Sequence, residues 1–226
     1  MNPIDYPLAE ILMFSAETYY RMIELYNRSI WPLHFLALLL GSGAILICFY
    51  KTQYQGRIVA AIITAGWLWV SYGFFWTHYA TINWYATAYA AVYMLQVLVL
   101  IWAGLFQNRI RTSVTKDISS VTGVFLLIYA IALHPILTGS LNGFWHAEVF
   151  GLMPVPTVIA TLGIISLSEK TPSGMLTVIP VIAAIVGGAT AWELGTYEAL
   201  SALIAAILTI ISIITRSWTR KVTELG

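Results

Sequence analysis

Residues 86–106 read ATAYAAVYMLQVLVLIWAGLF, a run without a single Asp, Glu, Lys, Arg or His. At 1.5 Å per residue a helix of this length rises about 30 Å, the thickness of a bilayer's hydrocarbon core. Outward from it the same pattern repeats. Residues 31–50, 58–77, 119–138, 150–168, 175–193 and 197–215 are apolar runs bounded by charges or turn residues. The expected fold is all-α, a polytopic membrane bundle of seven transmembrane helices. The connections between runs are too short for a separate soluble domain.

Composition agrees. The chain of 226 residues is 59% hydrophobic and 9% charged, where a soluble domain carries roughly a quarter charged residues. The formal charge of +1 comes from scattered basic residues, so the basic stripe of a nucleic-acid binder is missing and no nucleic-acid partner is expected. Cys48 is the only cysteine, which excludes a disulfide framework and a thiolate metal cluster.

Residues 1–29 behave differently. Leu8, Ile11, Leu12, Tyr19, Met22, Ile23 and Tyr26 recur at helical spacing, and Glu17/Arg21 and Glu24/Arg28 are opposite-charge pairs four apart. This segment reads as an amphipathic helix lying on the membrane surface, followed by a turn at residues 27–32 into the bilayer. The expected organisation is a surface helix over 1–29, the bundle over 30–216 and a cytoplasmic tail over 217–226. Of the eleven Lys and Arg, nine fall in the tail and in the connections after the first, third and fifth spans, and only Arg21 and Arg28 on the other side. The positive-inside bias therefore places the amino terminus outside and the carboxyl terminus inside.

With that topology His34, His78, His134 and His146 all fall toward the outer side, joined by Glu148, Glu193 and Glu198 and by a rim of Trp and Tyr. A metal or haem site built from His34, His78, His134, His146, Glu148 and Glu193 is one reading, since imidazole and carboxylate are common ligands. The other is that His, Trp and Tyr collect at membrane interfaces because they are amphipathic. The spacing favours the second: no two histidines lie three or four apart, and nothing resembles H-E-x-x-H. No charge lies well inside a span, which argues against ion-coupled transport, and residues 197–215 hold no lysine for a retinal Schiff base. The spans contain neutral polar groups instead. Gln96, Tyr93 and Tyr129 should face inward, as interhelical hydrogen-bonding groups or as the lining of a route for a small neutral solute. Pro154 and Pro156 open the fifth run, and Gly187-Gly188 offers a small-residue packing face.

Several stretches together resemble a bacterial family of unknown function made of multi-pass membrane proteins of similar length. They are Tyr26-Asn27-x-x-Ile30-Trp31-Pro32, Trp67-x-Trp69, Ile82-Asn83, Gln96, Phe150-Gly151-x-x-Pro154-x-Pro156-Thr157, Ile179-Pro180 and Val186-Gly187-Gly188. The resemblance implies a bacterial inner-membrane protein and no particular activity. In that pattern a glutamine commonly stands at His34 and a cysteine at Val155, and neither His78 nor His146 falls on a motif position.

The expected role is non-catalytic: a subunit or binding component that meets other membrane proteins, a second copy of itself or a small ligand through its outer aromatic face. Trp84, Trp145 and Tyr197, from three different outer connections, are the candidate contact residues. The rival is a metal- or haem-dependent membrane enzyme at the outer histidines, and a third class is a facilitator for a neutral solute.

Overall fold

The computed structural model describes residues 14–169, 174–195 and 200–225. Within them the chain is helical. Ser15 caps α1 (Ala16–Ser29), its hydroxyl accepting from the Thr18 amide at 3.2 Å, with Glu17 in the first turn where the helix dipole favours an acid. Met22, Ile23, Tyr26 and Asn27 form its buried face. Glu24 lies on the other side, paired with Arg21 at 2.7 Å and Arg28 at 2.9 Å. The amphipathic pattern is therefore realised from Ala16 onward; Leu8, Ile11 and Leu12 lie outside the described residues. Proline cannot donate to a preceding turn, and Pro32 sits at the break after which α2 (Leu33–Phe49) leaves at 87° to α1.

Three long helical runs follow: α3 (Gln55–Thr81), α4 (Ala86–Phe106) and α5 (Ile118–Asn142). Then come a short α6 (Pro154–Leu167), α7 (Gly174–Leu194) and α8 (Ser201–Leu225). Five helices, α3, α4, α5, α7 and α8, are long and apolar enough to cross a membrane, and the bent pair α1–α2 would make a sixth. Their outer faces carry large exposed apolar side chains such as Leu39, Leu95, Leu98 and Ile207. So much contiguous apolar surface suits lipid and not water.

The apolar run at 150–168 takes a different form from its neighbours. Helix starts only at Pro154, because Gly151 turns the chain at φ +77° and the prolines at 154 and 156 occupy first-turn positions where no amide is needed. All of α6 after Pro154 is buried, against α5, α7, α8 and α3. A Cβ on Gly123 would come within 2.7 Å of the Gly163 carbonyl oxygen, so the α5–α6 crossing depends on two glycines. Below α6 the connection 107–117 closes over its last turn. Ser113 donates to the Leu167 carbonyl at 3.0 Å, Glu169 to the Arg111 carbonyl at 2.8 Å, and Arg216 of α8 to the Ser168 carbonyl. Asp117 caps α5 through the Ser120 amide at 2.9 Å.

Three of the long runs contain π-helical turns, at Val70–Trp76, Ile101–Phe106 and Tyr129–Leu133. The last has a local cause: Pro135 offers no amide to Ile131 and its ring crowds that carbonyl, so the helix widens ahead of it.

Candidate functional site

The residues of chemical interest gather at the end of the bundle where α1 packs, and they sort into a polar network and an apolar cavity. Tyr26 and Asn27 of α1 organise the network. The Tyr26 hydroxyl donates to the Leu152 carbonyl at 2.8 Å and accepts from Trp69 Nε1 at 2.9 Å. Asn27 donates through Nδ2 to the carbonyls of Trp145 at 2.7 Å and Ala147 at 3.2 Å, which turns its Oδ1 toward His34 Nε2 at 3.2 Å. Because Asn27 presents an acceptor there, His34 Nε2 carries the proton, and its buried Nδ1 has no partner among the described residues. Gly151 donates to the Thr157 hydroxyl at 2.8 Å, and Thr157 to the Met153 carbonyl at 2.6 Å. A Cβ on Gly66 would lie 3.0 Å from the Gly151 Cα, so α3 and the strap at 147–153 meet backbone to backbone. Tyr26, Asn27, Trp69, Gly151 and Thr157 thus converge on that strap, which carries the buried backbone polar groups of an apolar region and has to satisfy each of them.

The other histidines sit around the same end without meeting. His78 Nδ1 donates to the Gly73 carbonyl at 2.7 Å, and its ring packs 4.9 Å from Tyr26. His146 lies edge-on to Tyr20 at 5.5 Å. His134 is completely buried, with Nε2 3.1 Å from Glu148 Oε2, while the Thr138 hydroxyl accepts from the Glu148 amide at 2.9 Å and donates to the His134 carbonyl at 2.9 Å. Glu193 is half-buried near the end of α7. Of the six proposed ligands only His134 and Glu148 come together, and among the described residues no three His, Cys, Asp or Glu side chains form a group fit to hold a metal ion.

The candidate contact residues divide as well. Trp84 projects from the α3–α4 connection with 81% of its surface exposed. Trp145 is half-buried, with the Arg28 guanidinium 4.9 Å above its ring and Trp31 at 5.9 Å. Tyr197 lies outside the described residues. Of the proposed polar lining, Gln96 is fully buried, donating weakly to the Leu176 carbonyl at 3.5 Å, with no partner for Oε1 among the described residues. Tyr129 packs against His134 at 5.7 Å.

Tyr93 alone of that trio lines a cavity. The space measures about 270 Å³ and lies among α1, α3, α4, α6, α7 and α8. One wall is aromatic, with Tyr19, Phe74, Phe75, Tyr79, Tyr89 and Tyr93; the other is built from small or branched residues, Val155, Val158, Ala183, Val186, Gly187 and Ala191. Tyr93 is buried, its ring held against Trp67 at 4.4 Å and Phe75 at 4.7 Å. The paired glycines of α7 have separate tasks. A Cβ on Gly188 would strike Leu203 of α8 at 2.4 Å, whereas one on Gly187 would meet nothing within 4 Å. Sequence reasoning missed this cavity, although two signals pointed to it: tyrosines four apart at 89 and 93, and small residues four apart at 183, 187 and 191. Such an arrangement can bind an apolar molecule, and nothing in it resembles a catalytic constellation.

No curated protein and no solved structure matches the chain. A family of unknown function, DUF6064, matches over residues 16–224, nearly the whole length, and the chain belongs to that family.

Proposed function

We propose that this chain is a non-catalytic binding component of a bacterial inner membrane, and that its ligand is a small lipid-soluble molecule held in the cavity between α4 and α7. The cavity carries this reading: pre-formed, apolar, and lined on one side by tyrosines, whose hydroxyls can give a ligand orientation. We read the topology as seven spans with the amino terminus outside. Charge asymmetry supports the orientation. The five long helices supply five crossings, and α2 and α6 the remaining two. Neither needs a full bilayer length, since α2 continues from a surface helix and α6 is enclosed by protein. The cavity then faces the outer leaflet.

The test uses the full-length protein in nanodiscs with 4-fluorophenol as probe, read by ¹⁹F NMR. Saturable binding is expected in the native chain and its loss in Gly187→Leu, whose Cβ would meet nothing within 4 Å among the described residues; an unchanged melting temperature checks that the variant folds. No saturable binding, or binding unchanged in Gly187→Leu, overturns the reading.

The exposure of Trp84 favours a second role beside this one, association through the outer rim. Crosslinking in intact cells should trap a partner subunit or a second copy, and Trp84→Ala should lose it while inserting normally. A lone monomer in cells and in nanodiscs rejects association.

A further inference from the structure

The cavity's location says how it is reached and what it takes. Val92 on α4 and Ile182 and Val186 on α7 line it, and all three are also well exposed, at 40%, 49% and 37%. Away from the cavity, toward the basic end, the same two helices are drawn together, where buried Gln96 donates to the carbonyl of buried Leu176. A gap bordered by exposed apolar side chains on two neighbouring spans faces lipid. Inside, Tyr93 is 95% buried by its 5% residual exposure and lines the space, and its hydroxyl has no hydrogen-bond partner among the described residues. A hydroxyl that borders an apolar space with no hydrogen bond of its own can still form one, so a ligand oxygen there has something to gain. No charged side chain is among the described residues lining the cavity, which excludes an ionic headgroup.

We propose that the cavity opens sideways into the bilayer between α4 and α7 and receives the neutral, oxygen-bearing end of a membrane-dissolved molecule, an alcohol or a carbonyl compound, with the Tyr93 hydroxyl as its hydrogen-bond partner. This rests on the cavity being the binding site and adds the route and the chemical class. At about 270 Å³ the cavity lies at the small end of ligand pockets. That suits one ring or the end of one chain, not a phospholipid.

The full chain is tested in nanodiscs of phosphatidylethanolamine and phosphatidylglycerol with two diazirine-bearing probes: hexadecanol, and hexadecane as its oxygen-free counterpart. An alkylphenol of equal length competes, to separate ring from chain. Hexadecanol should label residues 154–158 and 183–191 saturably and more strongly than hexadecane. One hydrogen bond of about 1 kcal/mol corresponds to a preference of about fivefold. Tyr93→Phe should erase that preference, and Gly187→Leu should abolish cavity labelling while labelling of lipid-facing Leu95 and Ile207 persists as proof of fold. In a Cys48→Ala background, tethering Val92→Cys to Val186→Cys with a short thiol-reactive linker should block labelling. Stronger competition by the alkylphenol assigns a ring, and weaker competition a chain; both support the proposal. If 4-fluorophenol still binds, hexadecanol without saturable labelling overturns the ligand class, and a tether that changes nothing overturns the lateral route, while in both cases the cavity reading stands. Preference for the alcohol surviving in Tyr93→Phe overturns the role of Tyr93. Saturable labelling that appears only after deletion of residues 1–13 makes that segment the occupant and overturns the proposal.

Discussion

At the scale of single residues, buried polar groups are where substitutions cost most. His134 and Glu148 face each other out of water, with Thr138 bracing both. Replacing His134 by Ala leaves Glu148 without its partner and should cost about 1–3 kcal/mol. Thermal unfolding in detergent should show this, and the His134→Ala/Glu148→Ala double variant should be little worse than His134→Ala, because the pair acts as a unit. Asp117 is a different case, a carboxylate at a helix start in the α4–α5 connection. Partial burial disfavours its charge, but hydrogen bonds from Ser120 and Thr115 and the Arg216 guanidinium outweigh that and hold its pKa below the ordinary carboxylate value. A carboxyl whose folded-state pKa is depressed contributes stability that is complete above the unfolded value and is lost as the pH falls through the folded one. Asp117→Ala should therefore lower stability by about 1 kcal/mol at neutral pH, and the gap from the native chain should close on acidification. A gap that widens in acid would reject the assignment.

At the scale of elements, the α5–α6 contact has the least tolerance. Gly123→Leu would push a branched side chain into the Gly163 carbonyl and Leu167, where even a Cβ lies within 2.7 Å of the former and 2.6 Å of the latter. Overpacking of this kind typically costs 1–3 kcal/mol or more, at about 25 °C, so the variant should reach the membrane at reduced yield and unfold earlier. Gly43→Leu on α2, whose Cβ would meet nothing within 4 Å, should be neutral. Equal effects in the two would mean that glycine flexibility, and not close approach, is what matters. The strap at 147–153 shows the same dependence in polar form. Tyr26→Phe removes the donor to the Leu152 carbonyl, and hydrogen exchange at residues 150–153 should rise while the bundle stays protected.

For the whole molecule the decisive quantity is sidedness. Single cysteines at Asn142 and Thr219 in a Cys48→Ala background report the two ends of the bundle. An impermeant thiol reagent added outside should reach residue 142 and spare residue 219 if the amino terminus is outside. The opposite pattern would move the histidines, the strap and the cavity to the cytoplasmic leaflet. The chemistry of the cavity would remain, and only the leaflet supplying it would change.

Apolar period and charge placement are local properties, so the all-helical architecture, the amphipathic face of α1 and the turn at Pro32 could be read from the chain alone. An apolar run reads the same whether it faces lipid or protein. For that reason only tertiary packing distinguished residues 150–168, where a strap bends into a 14-residue helix enclosed by its neighbours, from the longer apolar helices around it. Partnership is non-local as well. The four histidines share one end of the molecule, as their sequence positions imply, but which of them meet depended on helix placement, and among the described residues only His134 found a carboxylate. Gln96 was recognisable as inward-facing, because its amide in an apolar run needs partners, and Tyr93 was a candidate for the polar lining beside it. Whether Tyr93 met a neighbouring helix or empty space was decided by how far α4 and α7 stand apart, a distance that no sequence period encodes.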